Sequence, residues 1–324
     1  MIGTGNSGTV HLVQGGTQIR KTVSRWRQDQ EVIERQVVHL RNEIAIYKHL
    51  PQNHRRFVRF CDSFDDGKEN VTIDLEYMPH GTLHEYLRGY TLRQFMDTRL
   101  GPKETQADKE RRMRRRHDSI PLRQRARWAL EAADAVVALH ANDVIHSDLK
   151  PENMGVDANL SVRIFDFAGS SLKGSQALSL ESTRYYMPRK WWDDYGVVTD
   201  CFALGSSIYH IVTGVRPYDK VPDREVDACY ERGEFPDLSG VTEPEDASDT
   251  SGISQATGML LFANTIRMCW HGGFASAQEV LESLEDEVVR TFDDGDISSI
   301  SEMSGINLDI RRRDKSHATQ QLQC

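Results

Sequence analysis

The chain has 324 residues, 38% hydrophobic and 27% charged, with a formal net charge of −9. That balance suits a soluble globular protein and excludes bulk attraction to nucleic acid or to an anionic membrane. No apolar run approaches the roughly eighteen residues of a membrane-spanning helix, and the five scattered cysteines lack a CxxC pair, so reduced thiols in an intracellular, cytoplasmic monomer are expected.

Residues 2–10 spell G-x-G-x-x-G-x-V through Gly3, Gly5, Gly8 and Val10. The same glycines suit a dinucleotide fold, which would open a helix directly after the third one. Here Thr9–Val13 alternates and is β-branched, which predicts a strand. The glycines then form a hairpin whose N–H groups can lie over phosphates, because no Cβ blocks close approach. Almost nothing precedes Gly3, so the first strand is expected to be clipped. A second strand, Gln18–Val23, carries Lys21. Ile33, Val37, Leu40, Ile44 and Tyr47 recur at three- and four-residue steps and predict a helix over about 31–50, with Glu43 on it. Phe57–Phe64 and Asn70–Tyr77 read as two further strands, and Gly81 opens a short helix reaching about Leu87.

Residues 98–120 interrupt this pattern with Lys103, Lys109, Arg111, Arg112, Arg114, Arg115 and Arg116. Such blocks are usually solvated and disordered; a nuclear-import signal or a docking surface for acidic partners is the sharper reading. An apolar helix resumes after Pro121 and leads into Val144–Val156, which places Asp148, Lys150 and Asn153 within six residues. Pro151 lacks an N–H and restricts Lys150 to extended geometry, so these groups belong to a shaped loop and not to a helical face. A second acid, Asp166, follows eighteen residues after Asp148.

His146-Ser-Asp-Leu-Lys-Pro-Glu-Asn153 resembles the catalytic loop H-R-D-L-x-x-x-N of the protein kinases, and Asp166-Phe-Ala resembles their D-F-G. The resemblance implies a two-lobed α+β fold. A small β-rich N-lobe with one helix would span 1–78, and a larger, mainly helical C-lobe 79–290, with the basic insertion at about 98–120. The polar tail from 291 to 324 is expected to be disordered. The family's cofactors are ATP and Mg²⁺, and its partner is a protein substrate. Lys21 would pair with Glu43 and aim at the α- and β-phosphates, beneath Gly3, Gly5, Gly8 and Val10. Leu75 would be the gatekeeper, with the backbone of Glu76 and Met78 meeting the adenine edge. Asp148 would orient the substrate hydroxyl and Lys150 would stand by the transferring phosphate. Asn153 and Asp166 would ligate Mg²⁺ through hard oxygen donors. Asp200 reads as the N-cap of the central helix and as a tie to the catalytic loop.

Several positions depart from the family pattern. Ser147 stands in place of the H-R-D arginine, Ala168 in place of the D-F-G glycine, and Arg189 or Lys190 in place of the A-P-E glutamate. Its usual arginine partner is absent as well, so that no unpaired buried charge is expected. Ile19 and Gly155 exchange a small ceiling and a larger floor of the nucleotide slot, which should shift it towards the C-lobe. The lysine two residues after Asp148 resembles serine/threonine kinases. A pseudokinase scaffold and a small-molecule kinase of the same fold are the competing expectations.

Overall fold

The computed structural model describes residues 3–5, 7–13, 15–24, 29–89, 105–190, 195–239 and 259–308. Five short strands make one antiparallel sheet: β1 (Gly3–Gly5), β2 (Gly8–Leu12), β3 (Gln18–Thr22), β4 (Phe60–Asp65) and β5 (Val71–Glu76), in the order β1-β2-β3-β5-β4. β1 pairs along its three residues, Gly3 opposite Val10 and Gly5 opposite Gly8. Gly8 has φ 143°, and a Cβ there would overlap the Thr22 carbonyl, so only glycine lets β2 lie this close to β3.

Helix α1 (Gln30–His49) starts on Asp29, whose side chain accepts the Glu31 N–H. Its apolar stripe of Val37, Leu40, Ile44 and Tyr47 covers Val71, Ile73 and Leu75 of the sheet. Each such side chain removed from water contributes about 1.5–3 kcal/mol.

The larger half begins with α2 (Leu83–Arg88), fixed by a capping box between Thr82 and Glu85. It continues with α3 (Gln106–Asp118) and α4 (Leu122–His140). Two small two-stranded sheets follow, made of β6 (Val144–Ile145) with β9 (Ser171–Leu172) and β7 (Met154–Val156) with β8 (Val162–Ile164). Then come α5 (Val197–Thr213), α6 (Asp223–Glu231), α7 (Ala263–Trp270), α8 (Ala277–Thr291) and α9 (Asp294–Ser304). Apolar residues cover α5 on nearly every side and it is buried, as that pattern demands, while α4 buries Arg125, Arg127 and Glu131 along with its apolar residues. No described helix is long and apolar enough to cross a membrane.

Three expectations need correction. The tail is not wholly disordered: α9 packs on α4 and buries Ile297 and Ile300, with Ile306 and Leu308 buried beyond it. Its apolar residues are too few to stand out in a polar stretch. The basic run likewise forms α3, because it docks on α2: Arg112 donates to the Arg88 carbonyl, and Arg116 donates to the Tyr86 carbonyl at 3.0 Å. The Arg116 guanidinium also lies 3.9 Å over the Tyr86 ring. These cations satisfy the end of α2, which its own ladder leaves open. Asp200 is not an N-cap, since α5 starts from Gly196 and Asp200 lies inside its first turn. Residues 98–104, the acidic loop at 240–258 and the tail beyond 308 lie outside the described residues.

Candidate active site

Strand β3 brings Lys21, α1 brings Glu43, and the segment after β8 brings Asp166 to one point. Lys21 Nζ donates to Glu43 Oε2 at 2.8 Å and to Asp166 Oδ1 at 2.7 Å. Burial by itself would lower the Lys21 pKa, but the carboxylates of Asp166 and Glu43 outweigh it and hold the value above normal. Asp166, resisting the opposite pull of burial, is held below the usual carboxylate range by the Lys21 ammonium. Lys21 is therefore a fixed cation and Asp166 a fixed anion. The Asp166 side chain keeps 32% of its surface exposed, so its second oxygen reaches the cleft.

Asp148 stands in the loop between β6 and β7. Its Oδ2 accepts from Lys150 Nζ at 2.6 Å, and Asn153 Nδ2 donates to its carbonyl at 2.8 Å. Because Asn153 uses its amide nitrogen here, its amide oxygen is the atom available to a cation. With Asp166 this makes a pair of hard oxygen donors, which fits Mg²⁺. From below, Asp200 accepts the N–H of His146 at 2.8 Å and of Ser147 at 3.0 Å, and also receives His140 Nε2 at 3.0 Å. Burial would raise the Asp200 pKa, but these donors win and lower it. The expected tie between Asp200 and the catalytic loop is present even though its capping role is not.

Phe167 fixes the start of the next segment. It is fully buried, with its ring 4.9 Å from Tyr47, 6.2 Å from Phe57 and 5.6 Å from His146. The left-handed residue here is Asp166, at φ 67°, whereas Ala168 has no positive φ. The missing glycine at 168 thus causes no strain in this arrangement.

Two residues outside the sequence-derived set belong to the site. Ser182 donates from its backbone N–H, at 3.1 Å, and from its hydroxyl, at 3.0 Å, to Asp148 Oδ1, and Lys150 Nζ donates to the same hydroxyl at 2.6 Å. Asn42 donates from Nδ2 to the carbonyls of Ser170 at 2.8 Å and Ala168 at 3.2 Å, with a weaker 3.4 Å contact to Phe167. The available signal was an asparagine inside a strong helix, directly before Glu43, where that side chain favours neither propensity nor packing.

The nucleotide slot is lined by Val10, Ile19, Val58, Leu75, Met78 and Phe165, among others. Glu76 gives its N–H to the Arg59 carbonyl and Tyr77 to the Thr17 carbonyl, while the Met78 N–H has no partner among the described residues. Gly155 does not open a floor cavity. A Cβ there would overlap Met78, whose side chain fills that space, so the expected shift towards the C-lobe is corrected. Arg189, whose side chain is 5% exposed, pairs instead with the fully buried Glu181, so that no unpaired buried charge results.

A protein kinase domain model matches residues 1–260. The chain is 28% identical over 232 residues to NUAK family SNF1-like kinase 1 of Homo sapiens, covering 70% of this chain and 30% of that protein. It is 24% identical over 272 residues to Aurora/IPL1-related protein kinase 2 of Caenorhabditis briggsae, covering 83% of this chain and 78% of that protein. To serine/threonine-protein kinase Aurora-2 of Arabidopsis thaliana it is 28% identical over 240 residues, covering 73% and 72%. This chain thus spans about 30% of the length of the human relative. On the extent of that match, and with Lys21, Glu43, Asp148, Asn153 and Asp166 brought together in one cleft, the chain belongs to the protein kinase domain family.

Proposed function

We propose that this chain is a serine/threonine protein kinase that transfers the γ-phosphoryl group of ATP, with Mg²⁺, to a hydroxyl of a protein substrate. The observation that carries this reading is the convergence of Lys150 and Ser182 on Asp148, at 2.6 and 3.0 Å, beside an intact Lys21–Glu43 pair. Phosphoryl transfer needs positioning and charge neutralisation more than covalent chemistry from the protein. Lys21 steadies the α- and β-phosphates, and the glycines at 3, 5 and 8 let backbone N–H groups come close to them. Asp148 accepts and orients the attacking hydroxyl, and Lys150 lies beside the group in flight. Asp166 and Asn153 would hold Mg²⁺, which would supply charge neutralisation for the phosphates. The relative from Arabidopsis thaliana, named as a serine/threonine-protein kinase, supports the hydroxyl class. Operation inside the cell, where the thiols of Cys61, Cys201, Cys229 and Cys269 stay reduced, belongs to the same proposal.

The test is incubation with labelled ATP and Mg²⁺ on a peptide array, beside Asp148→Asn and Lys21→Met. Label on serine or threonine peptides with the natural chain, lost in both variants, is the expected result. Nucleotide binding without transfer would make the chain a scaffold and overturn the proposal.

A further inference from the structure

Three elements meet around Glu152, the residue that adjoins Asn153. His84 comes from α2, Glu152 from the turn Pro151–Asn153, and His210 from the last turn of α5. One ligand atom from each lies within 4.8 Å of the others. The His84 and His210 rings meet edge to face, with centroids 5.2 Å apart.

Hydrogen bonding does not account for this cluster. His84 Nδ1 stands 3.2 Å from Glu152 Oε1, but it is not aligned as a donor and remains buried without a partner, as does Glu152 Oε2. A buried polar atom left unmatched is costly, so such atoms call for a partner. Burial, with Arg88 and Arg216 nearby, pushes His84 down to about 3. Burial also holds His210 well below the ordinary imidazole value, with His84, Arg216 and Arg88 adding to it. Arg216 is itself committed to Asp219 at 3.1 Å.

We propose that His84, Glu152 and His210 bind a divalent transition-metal ion, with Zn²⁺ as the ion whose ligand preferences they match. Neutral imidazole and carboxylate are the donors Zn²⁺ takes, at about 2.0–2.2 Å, and a tetrahedral site separates its ligand atoms by about 3.3 Å. The His84–Glu152 separation of 3.2 Å already has that value. The widest separation in the trio closes by at most about 1.5 Å on binding, within reach of a side-chain rotation. His210 engages the Tyr185 hydroxyl at 2.8 Å through Nδ1, which orients the ring and leaves Nε2 to coordinate. Coordination through His84 Nδ1 places the ring proton on Nε2 and gives up a long 3.4 Å contact with Arg88. The donor set is distinct from the oxygen pair of Asp166 and Asn153, because Mg²⁺ avoids imidazole. Three protein ligands leave the fourth position to water or to a group of a bound molecule. The ion would clasp α2 and α5 to the residue adjoining Asn153, and so bear on the catalytic loop without joining its chemistry.

The experiment uses the full chain, stripped with EDTA and returned to chelator-free buffer. One equivalent of Co²⁺ should produce the intense visible absorption of a tetrahedral site, Zn²⁺ should displace it, and Zn²⁺ should raise the melting temperature. His84→Phe and Glu152→Gln should each abolish the Co²⁺ spectrum and weaken Zn²⁺ binding at least about tenfold. Should His84→Phe fail to fold, Glu152→Gln carries the same comparison. Absence of the spectrum in the natural chain, or its survival at full strength in a folded variant, would overturn the proposal. The readout is metal binding, so the result stands apart from whether the chain transfers phosphate.

Discussion

Arg189 and Glu181 form a two-point ion pair inside the protein, with Nη2 to Oε2 at 2.7 Å and Nη1 to Oε1 at 3.2 Å. The glutamate is fully buried, so the pair ties the two ends of one short segment together where water cannot screen it. Removing one member strands the other. Glu181→Gln should cost about 3–5 kcal/mol in urea unfolding, whereas a double replacement by methionine should recover most of that loss. Equal losses in the single and double variants would show that the pair stabilises the fold by its attraction alone.

Asn42 gives a kinetic prediction. Its contacts to the carbonyls of Ser170 and Ala168 hold the segment after Asp166 against α1. Asn42→Ala removes two neutral hydrogen bonds worth about 1 kcal/mol each, so turnover should fall several-fold to about thirtyfold while the chain stays folded. A Tm shift with unchanged turnover would limit Asn42 to a structural role.

Asp200 sets a pH dependence. Its folded pKa is lowered, so the stability it contributes is present above the unfolded value of about 3.9 and is lost as pH falls through the lower folded value. The stability gap between the natural chain and Asp200→Asn should be full near neutrality and shrink below about pH 4. Chemical unfolding at several pH values measures it. A gap that widens on acidification would contradict this account of Asp200.

Activity should not depend on phosphate at Ser175, Ser179 or Thr183, which lie in the stretch between Asp166 and α5. Ser147 supplies no cation, Arg184 is spent on the Pro217 and Val221 carbonyls and on Asp223, and Arg189 is spent on Glu181. Phosphatase treatment should leave turnover unchanged. Ser182 is the exception, because its hydroxyl lies between Asp148 and Lys150 and a phosphate there would bring about −1.5 to −2 charges onto Asp148. Ser182→Thr should keep activity and Ser182→Glu should abolish it. A tenfold loss on dephosphorylation would contradict this account.

Truncation after residue 292 should destabilise the fold. It removes the buried Ile297, Ile300, Ile306 and Leu308, each worth about 1.5–3 kcal/mol, and the Ser304 carbonyl that accepts from buried Arg56 at 2.6 Å. A drop in melting temperature is the expected outcome; an unchanged one would make α9 an ornament of the lobe.

The sequence by itself determined the order of elements and most of the residues that meet in the candidate site. Period-2 and period-3.6 patterns placed β2, β3, α1 and α4, because one-sided burial leaves its mark on neighbouring residues in the chain. The spacing of Asp148, Lys150 and Asn153 survived for the same reason: a tight loop writes its geometry locally. Tertiary structure decided what depends on residues far apart. Asn42 meets Ser170 across 128 positions, Arg56 meets Ser304 across 248, and His84 meets His210 only where α2 and α5 both pack on the Pro151–Asn153 turn. Glu181 and Arg189 are near in sequence, yet their burial is set by what covers them. A side chain carries no mark of a distant partner, so charge and amide groups that read as solvated became clamps once the core removed water from around them.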